Sequence, residues 1–142
     1  MKRLVLVLLL AAPPALADDD RVPPVTDPLV LKECGECHMA FQPAFLPARS
    51  WNAVMDGLSD HFGDDASLPA DTVEAIRRVL VAGAGRERKR DRGEFTLAIT
   101  KTRWFRHEHR FPDRVWADPK VTTPSNCPAC HRDAERGWYE ED

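Results

Sequence analysis

Two pentapeptides, CGECH at residues 34–38 and CPACH at residues 127–131, decide how this chain is built. Each is a CxxCH unit, and together they use all four cysteines of the 142 residues. Two thiols at this spacing can add across the two vinyl groups on one edge of a porphyrin, and the adjacent imidazole then reaches the iron from the near face. The motifs therefore predict two covalently bound c-type haems. The predicted attachment residues are Cys34, Cys37, Cys127 and Cys130.

Other uses of paired cysteines must be weighed against haem attachment. Two CxxC pairs can hold zinc, a CxxC can act as a dithiol redox centre, and an exported protein can form disulfides. Neither zinc nor dithiol chemistry requires a histidine directly after the second cysteine, yet His38 and His131 stand there in both motifs. We interpret these two histidines as iron ligands.

The N-terminus is typical of a secretory signal. Two cations precede an apolar run at 4–12, and Ala15-Leu16-Ala17 forms a small-x-small cleavage pattern. The run is far shorter than the roughly 20 residues that span a bilayer, although an uncleaved membrane tether is the alternative. We predict that residues 1–17 are a cleaved signal peptide and that the protein is periplasmic. Cleavage removes both cations and lowers the formal charge from −3 to −5, which argues against a nucleic-acid partner.

A run in which every residue is charged, 86–92, divides the remaining chain. It is interpreted as a solvated linker, with a basic docking spot for a redox partner as the alternative. The predicted organisation is an N-terminal haem domain at 18–85, a charged linker at 86–94 and a C-terminal haem domain at 95–142. No tandem duplication surrounds the two motifs, so the two domains are predicted to have unrelated folds.

A short helix at about 29–33 is predicted to lead into the first motif, and hydrophobic periodicity predicts two further helices in the N-terminal domain, at about 51–62 and 69–82. Ser50 is a good N-cap for the second helix, and Gly63 is its expected stop. Few helical patterns follow in the C-terminal domain.

Three histidines outside the motifs can fill the second axial position of each iron: His61, His107 and His109. His61 lies 23 residues after His38, and His109 lies 22 residues before His131. The most economical assignment therefore gives His61 to the first haem and His109 to the second. Met55 is a rival on the predicted second helix, but it lies in the middle of the apolar stripe, where methionine more often packs than ligates.

The choice between His107 and His109 depends on the helix face. In a helix over 103–110 the two rings point about 200° apart, so at most one can face a given iron. His109 follows Phe105 by four residues and shares its face, whereas His107 stands between Arg106 and Glu108 on the predicted wet side. We therefore predict His109 as the ligand.

Five stretches resemble the bacterial soluble diheme cytochrome c family. They are CGECHM at 34–39, FQPAFLPARSW at 41–51, LSDHFG at 58–63, WFRHEHR at 104–110 and SNCPACHRDAERG at 125–137. The resemblance implies a mainly α fold, with a class I cytochrome c-like N-terminal haem domain and a small irregular C-terminal haem domain. It also implies histidine on both sides of both irons, through His61 and His109. Members look like electron donors to a small oxygen-binding cytochrome c, sometimes alongside a membrane b-type cytochrome.

These observations predict an electron carrier and not an enzyme. Two histidines per iron close both axial positions, and histidine in place of methionine lowers the reduction potential. One alternative is a diheme redox subunit of a larger periplasmic reductase, resembling the small diheme subunit of periplasmic nitrate reductase. The other is a haem protein with one open iron.

Overall fold

A computed structural model of the protein describes residues 21–87 and 95–140, and it is helical. The α-helices in these ranges are α1 Pro28–Cys34, α2 Ala48–Asp56, α3 Ala70–Ala82, α4 Arg103–Glu108 and α5 Asp113–Trp116. Short 3₁₀ turns connect them, and the β-type pairs in this part of the chain are two isolated bridges. The predicted mainly α fold is confirmed. The predicted signal peptide and residues 88–94 of the predicted linker lie outside the described residues.

The first three helices enclose the main apolar core. Asp27 caps α1 by accepting hydrogen bonds from the backbone N–H groups of Leu29 and Val30, both at 3.0 Å. Pro28 occupies the first turn of α1, where its missing N–H leaves no bond unmade. The fully or nearly fully buried core residues are Val30, Ala40, Leu46, Trp51, Val54, Met55, Ile76 and Leu80. The predicted first and third helices are confirmed within one residue at each end.

The second helix differs from its prediction. It begins at Ala48, after Pro47, and Ser50 is a buried residue of its first turn instead of its N-cap. It ends at Asp56, because Gly57 follows and a glycine inside a helix costs about 1 kcal/mol. A separate 3₁₀ turn covers Leu58–Asp60. His61 therefore lies in a turn and not on the flank of a long helix.

Residues 41–47, between α1 and α2, contain a 3₁₀ turn at Pro43–Phe45. The C-terminal segment is irregular, with two short helices among 3₁₀ turns. Thr102 caps α4, since its hydroxyl oxygen accepts from the Phe105 N–H at 3.2 Å. Within residues 21–87 and 95–140, none of the helices is long and apolar enough to cross a membrane.

Candidate haem sites

The first motif brings His38 close to His61. Their ring centroids lie 6.2 Å apart, with 29° between the ring planes. An imidazole nitrogen lies about 2 Å from a metal it ligates, so two rings on opposite sides of one ion have centroids about 6 Å apart. The His38 and His61 rings therefore have the spacing at which one metal ion fits between them.

A tight turn holds His61 in this place. The backbone N–H of His61 donates to the carbonyl of Asp64 at 2.7 Å, and the Asp64 N–H donates back at 3.3 Å. Phe62 and Gly63, at the tip of this turn, have positive φ angles of 58° and 101°. Burial, and then the neighbouring His38, lowers the pKa of the His61 imidazole. A lowered pKa favours the neutral form of His61, which is the form that ligates metals.

The second motif repeats this spacing with other residues. His131 and His109 have ring centroids 6.1 Å apart, with 79° between the planes. His109 lies at the C-terminal end of α4, stacked on Phe105, and Trp116 of α5 lies 6.3 Å away on centroids. Short helices thus bring His109 close to His131 of the second motif, which lies 22 residues further along the chain.

His107 is placed differently. Its Nδ1 lies 2.8 Å from a carboxylate oxygen of Glu108, and both side chains are about two-thirds exposed. The structure therefore pairs His109, and not His107, with His131.

Backbone carbonyls orient three of the four paired rings. Nδ1 of His38 donates to the Met39 carbonyl at 2.7 Å, and Nδ1 of His109 donates to the Phe105 carbonyl at 3.0 Å. Nδ1 of His131 lies 3.5 Å from the carbonyl of Glu140. Because a carbonyl can only accept, each Nδ1 carries the hydrogen, and in a neutral ring Nε2 keeps its lone pair for a metal.

The second motif lines a cavity of about 1200 Å³. It is larger than the roughly 300–1,000 Å³ of most small-molecule pockets. Its walls include both thiols and the paired histidines together with aromatic side chains, among them Cys127, Cys130, His109, His131, Phe45 and Trp104. A large, flat, mostly apolar group that bonds to thiols and imidazoles suits this composition.

The first thiol of each motif differs from the reactive thiol of a dithiol redox centre. Burial raises the pKa of Cys34, and it raises the pKa of Cys127 to about 11. Reactive CxxC thiols have lowered pKa values instead. The described ranges include both motifs, and within them no group of three or more His, Cys, Asp or Glu side chains is placed to hold a metal ion.

The family model described as "Dihaem cytochrome c" matches residues 30–139, which include both motifs and both histidine pairs. The chain belongs to the dihaem cytochrome c family. As a family member it binds two c-type haems and takes part in electron transport, which confirms the predicted cofactors and the predicted resemblance.

Solved structures of diheme cytochromes c agree with this membership. DHC purified from Rhodobacter sphaeroides shares 43% identity and a TM-score of 0.71, covering 81% of this chain and 98% of that one. A second diheme cytochrome c structure from Rhodobacter sphaeroides shares 41% identity, with a TM-score of 0.75 over 82% and 99% of the two chains. One from Shewanella baltica shares 36% identity, with a TM-score of 0.69 over 80% and 86%. A comparison with curated protein sequences found no significant match.

Two residues beside the haem sites of this dihaem cytochrome c were not singled out by the sequence. Gln42 is fully buried, and its side chain bonds to the C-terminal segment, including Tyr139. Burial is the main cause that raises the pKa of the Tyr139 hydroxyl above its usual range. The one available signal was a glutamine inside the otherwise apolar stretch 40–46.

Proposed function

We propose that this protein is an exported, periplasmic electron carrier of low potential, in which both irons are held by two histidines. His38 and His61 would ligate the first iron, and His131 and His109 the second. The observation that carries the proposal is the spacing of the two ring pairs, 6.2 and 6.1 Å between centroids. Both values suit one metal ion between two imidazoles.

Two histidines on each iron would leave no open coordination position, which favours a carrier over an enzyme. Haem supplies one-electron redox chemistry when it is bound. With two histidines on each iron, substrates and small ligands have no vacant position to occupy. The chain's own contribution would then be to orient the imidazole rings, shield the haems from water and set their reduction potentials.

The hydrogen bonds on the rings support a low potential. Where Nδ1 of a ligating histidine donates to a carbonyl, the ring becomes a stronger electron donor to the metal. His38, His109 and His131 each have such a carbonyl, from Met39, Phe105 and Glu140. A more basic ligand favours the oxidised ion, and histidine in place of methionine acts in the same direction.

The partner that we propose is another cytochrome, and the family resemblance favours a small oxygen-binding cytochrome c. A membrane b-type cytochrome is the second proposed partner. The secretory pattern of residues 1–17 supports export to the periplasm, where these partners would meet the protein.

Visible spectroscopy and carbon monoxide test the ligation. The oxidised protein should show low-spin haem only, with no charge-transfer band of methionine sulfur ligation. The reduced native protein should not bind carbon monoxide rapidly. Rapid carbon monoxide binding would reveal an open iron and contradict the proposal, and a sulfur band would show that methionine replaces one of the four histidines.

A further inference from the structure

Among the contacts between the segments that carry the two haem motifs is a pair of hydrogen bonds made by one buried side chain, Gln42. This residue is 0% exposed and lies four positions after His38. Its amide Nε2 donates to the carbonyl of Ala134 at 2.8 Å, and its Oε1 accepts from the Tyr139 hydroxyl at 2.5 Å. Both partners belong to the chain that follows the second motif. The buried amide of the first segment is therefore satisfied by groups of the second.

Tyr139 in turn contacts the proximal histidine of the second site. The Tyr139 and His131 rings meet edge to face, with centroids 5.4 Å apart. The next residue, Glu140, provides the carbonyl that lies 3.5 Å from His131 Nδ1. Residues 139 and 140 thus supply two of the contacts that orient His131, and the hydroxyl of Tyr139 is bonded to Gln42.

The other end of the link reaches the first site. Phe41, directly before Gln42, stacks on the His38 ring with centroids 4.8 Å apart and 23° between planes. A continuous series of contacts therefore runs from His38 through Phe41, Gln42 and Tyr139 to His131. Phe45 supports it from the side, with its ring 5.2 Å from that of Tyr139.

We propose that Gln42 and Tyr139 are positioning residues that fix the mutual geometry of the two haem sites and so set the rate of electron exchange between them. This inference rests on the proposed function, in which His38 and His131 ligate the two irons. Electron transfer slows steeply as the donor moves from the acceptor. Apolar packing tolerates small slips, whereas two hydrogen bonds on one buried amide permit a single register between the segments.

Two substitutions test the contact between Gln42 and Tyr139, and a third substitution is a matched control. Tyr139→Phe removes the hydroxyl and keeps the ring against His131. Gln42→Leu removes both hydrogen bonds and keeps the side-chain volume. Asn52→Leu is the control, because it also replaces an amide in the first segment, one whose Oδ1 accepts from Arg77 of the same segment at 3.4 Å.

The readouts are chosen to respond to geometry and not only to stability. Electron paramagnetic resonance of the fully oxidised protein reports the magnetic coupling of the two irons, which falls with the cube of their separation. Flash photoreduction of one haem reports how fast the electron equilibrates with the other. Chemical denaturation, followed in parallel, measures stability.

Tyr139→Phe and Gln42→Leu should keep low-spin spectra, weaken the coupling between the irons and slow equilibration several-fold. Asn52→Leu should match the wild type in coupling and rate. Loss of stability with unchanged coupling and unchanged rate in Tyr139→Phe would overturn the proposal, and this variant decides the matter if Gln42→Leu does not fold. High-spin haem in the wild type would instead contradict the proposed function, and the coupling measurement would still test the link.

Discussion

The His109 ring lies flat against the Phe105 ring, with centroids 3.9 Å apart and 9° between the planes. The same residue pair shares a hydrogen bond, since His109 Nδ1 donates to the Phe105 carbonyl at 3.0 Å. Two contacts from one residue, a helical turn earlier, thus fix both the tilt and the tautomer of the His109 ring. Phe105 of α4 thus contributes directly to the orientation of this histidine, and Trp116 of α5 lies beside the same ring.

Replacing His109 by alanine should open the second haem. In the ligation proposed above, this change would remove the second axial ligand of the iron, because no other imidazole is paired with His131 in the described chain. We expect one of the two haems to become high-spin and to bind carbon monoxide when reduced, as measured by visible spectroscopy.

His107→Ala is the control for this experiment. The side chain is 64% exposed and pairs with Glu108 on the surface, so the spectrum should stay low-spin. If His107→Ala opened a haem and His109→Ala did not, the assignment would be wrong by two residues.

His61→Ala should open the first haem in the same way. The sequence also offers Met55 as an alternative to His61 at the first haem. Its side chain, however, is 5% exposed and lies within the apolar core. Met55→Leu conserves volume, so it should cost less than about 1.5 kcal/mol and leave both haems low-spin. Spectra and denaturation curves of the two variants measure these effects. A high-spin haem in Met55→Leu would show that the methionine is a ligand after all.

Local signals predicted much of the fold. The two CxxCH motifs gave the cofactors because covalent attachment demands a fixed spacing. Helices α1 and α3 lie where the sequence predicted them, and α3 has one apolar face and ends before Gly83. The pairing of His61 and His109 with the two motifs was also predicted from the sequence, by the distance of each histidine from its motif and, for His109 over His107, by the helix face shared with Phe105.

The error in α2 has a local cause as well. Leu58 and Phe62 continue the apolar spacing of the helix, and this continuity concealed the break at Gly57. Phe62 is in fact 63% exposed, in a turn of positive φ. Periodicity counts apolar residues and cannot distinguish a helix from a helix followed by a turn.

The contact between Gln42 and Tyr139 could not be predicted. The two residues are 97 positions apart, and each is the single example of its type in the chain. A hydrogen bond between distant side chains leaves no periodic trace in the sequence. Such pairs emerge only once the segments are packed together.

Electron transfer to the proposed partner cytochrome should become slower as salt is added. The chain without residues 1–17 has a formal charge of −5, while the run 86–92 is locally basic, so a partner would be steered by charge. Steering acts over about one Debye length, roughly 8 Å at physiological ionic strength. Stopped-flow rates of partner reduction, measured from low to high salt, should fall. Rates that stay flat over this range would contradict charge-steered docking.

Gly137 should tolerate alanine much less well than Gly63. Both have positive φ, 80° and 101°, so each substitution carries left-handed strain of about 1–2 kcal/mol. At Gly63 a new Cβ would meet nothing within 4 Å, whereas at Gly137 it would lie 1.9 Å from the carbonyl oxygen of Val22. Val22 cannot simply move away, because its N–H donates to the Gly137 carbonyl at 2.8 Å.

The Gly137 substitution should therefore also detach the chain at residues 21–24 from the second haem segment. Arg21 lies over the Trp138 ring, 3.7 Å from its centroid, and this contact would be lost with the Val22 bond. We expect Gly63→Ala to lower the free energy of unfolding by about 1–2 kcal/mol, and Gly137→Ala to lower it by about 3 kcal/mol or more. Denaturant titration followed by tryptophan fluorescence measures both. Equal losses would mean that the close approach of Val22 to Gly137 contributes nothing beyond the backbone strain that the two glycines share.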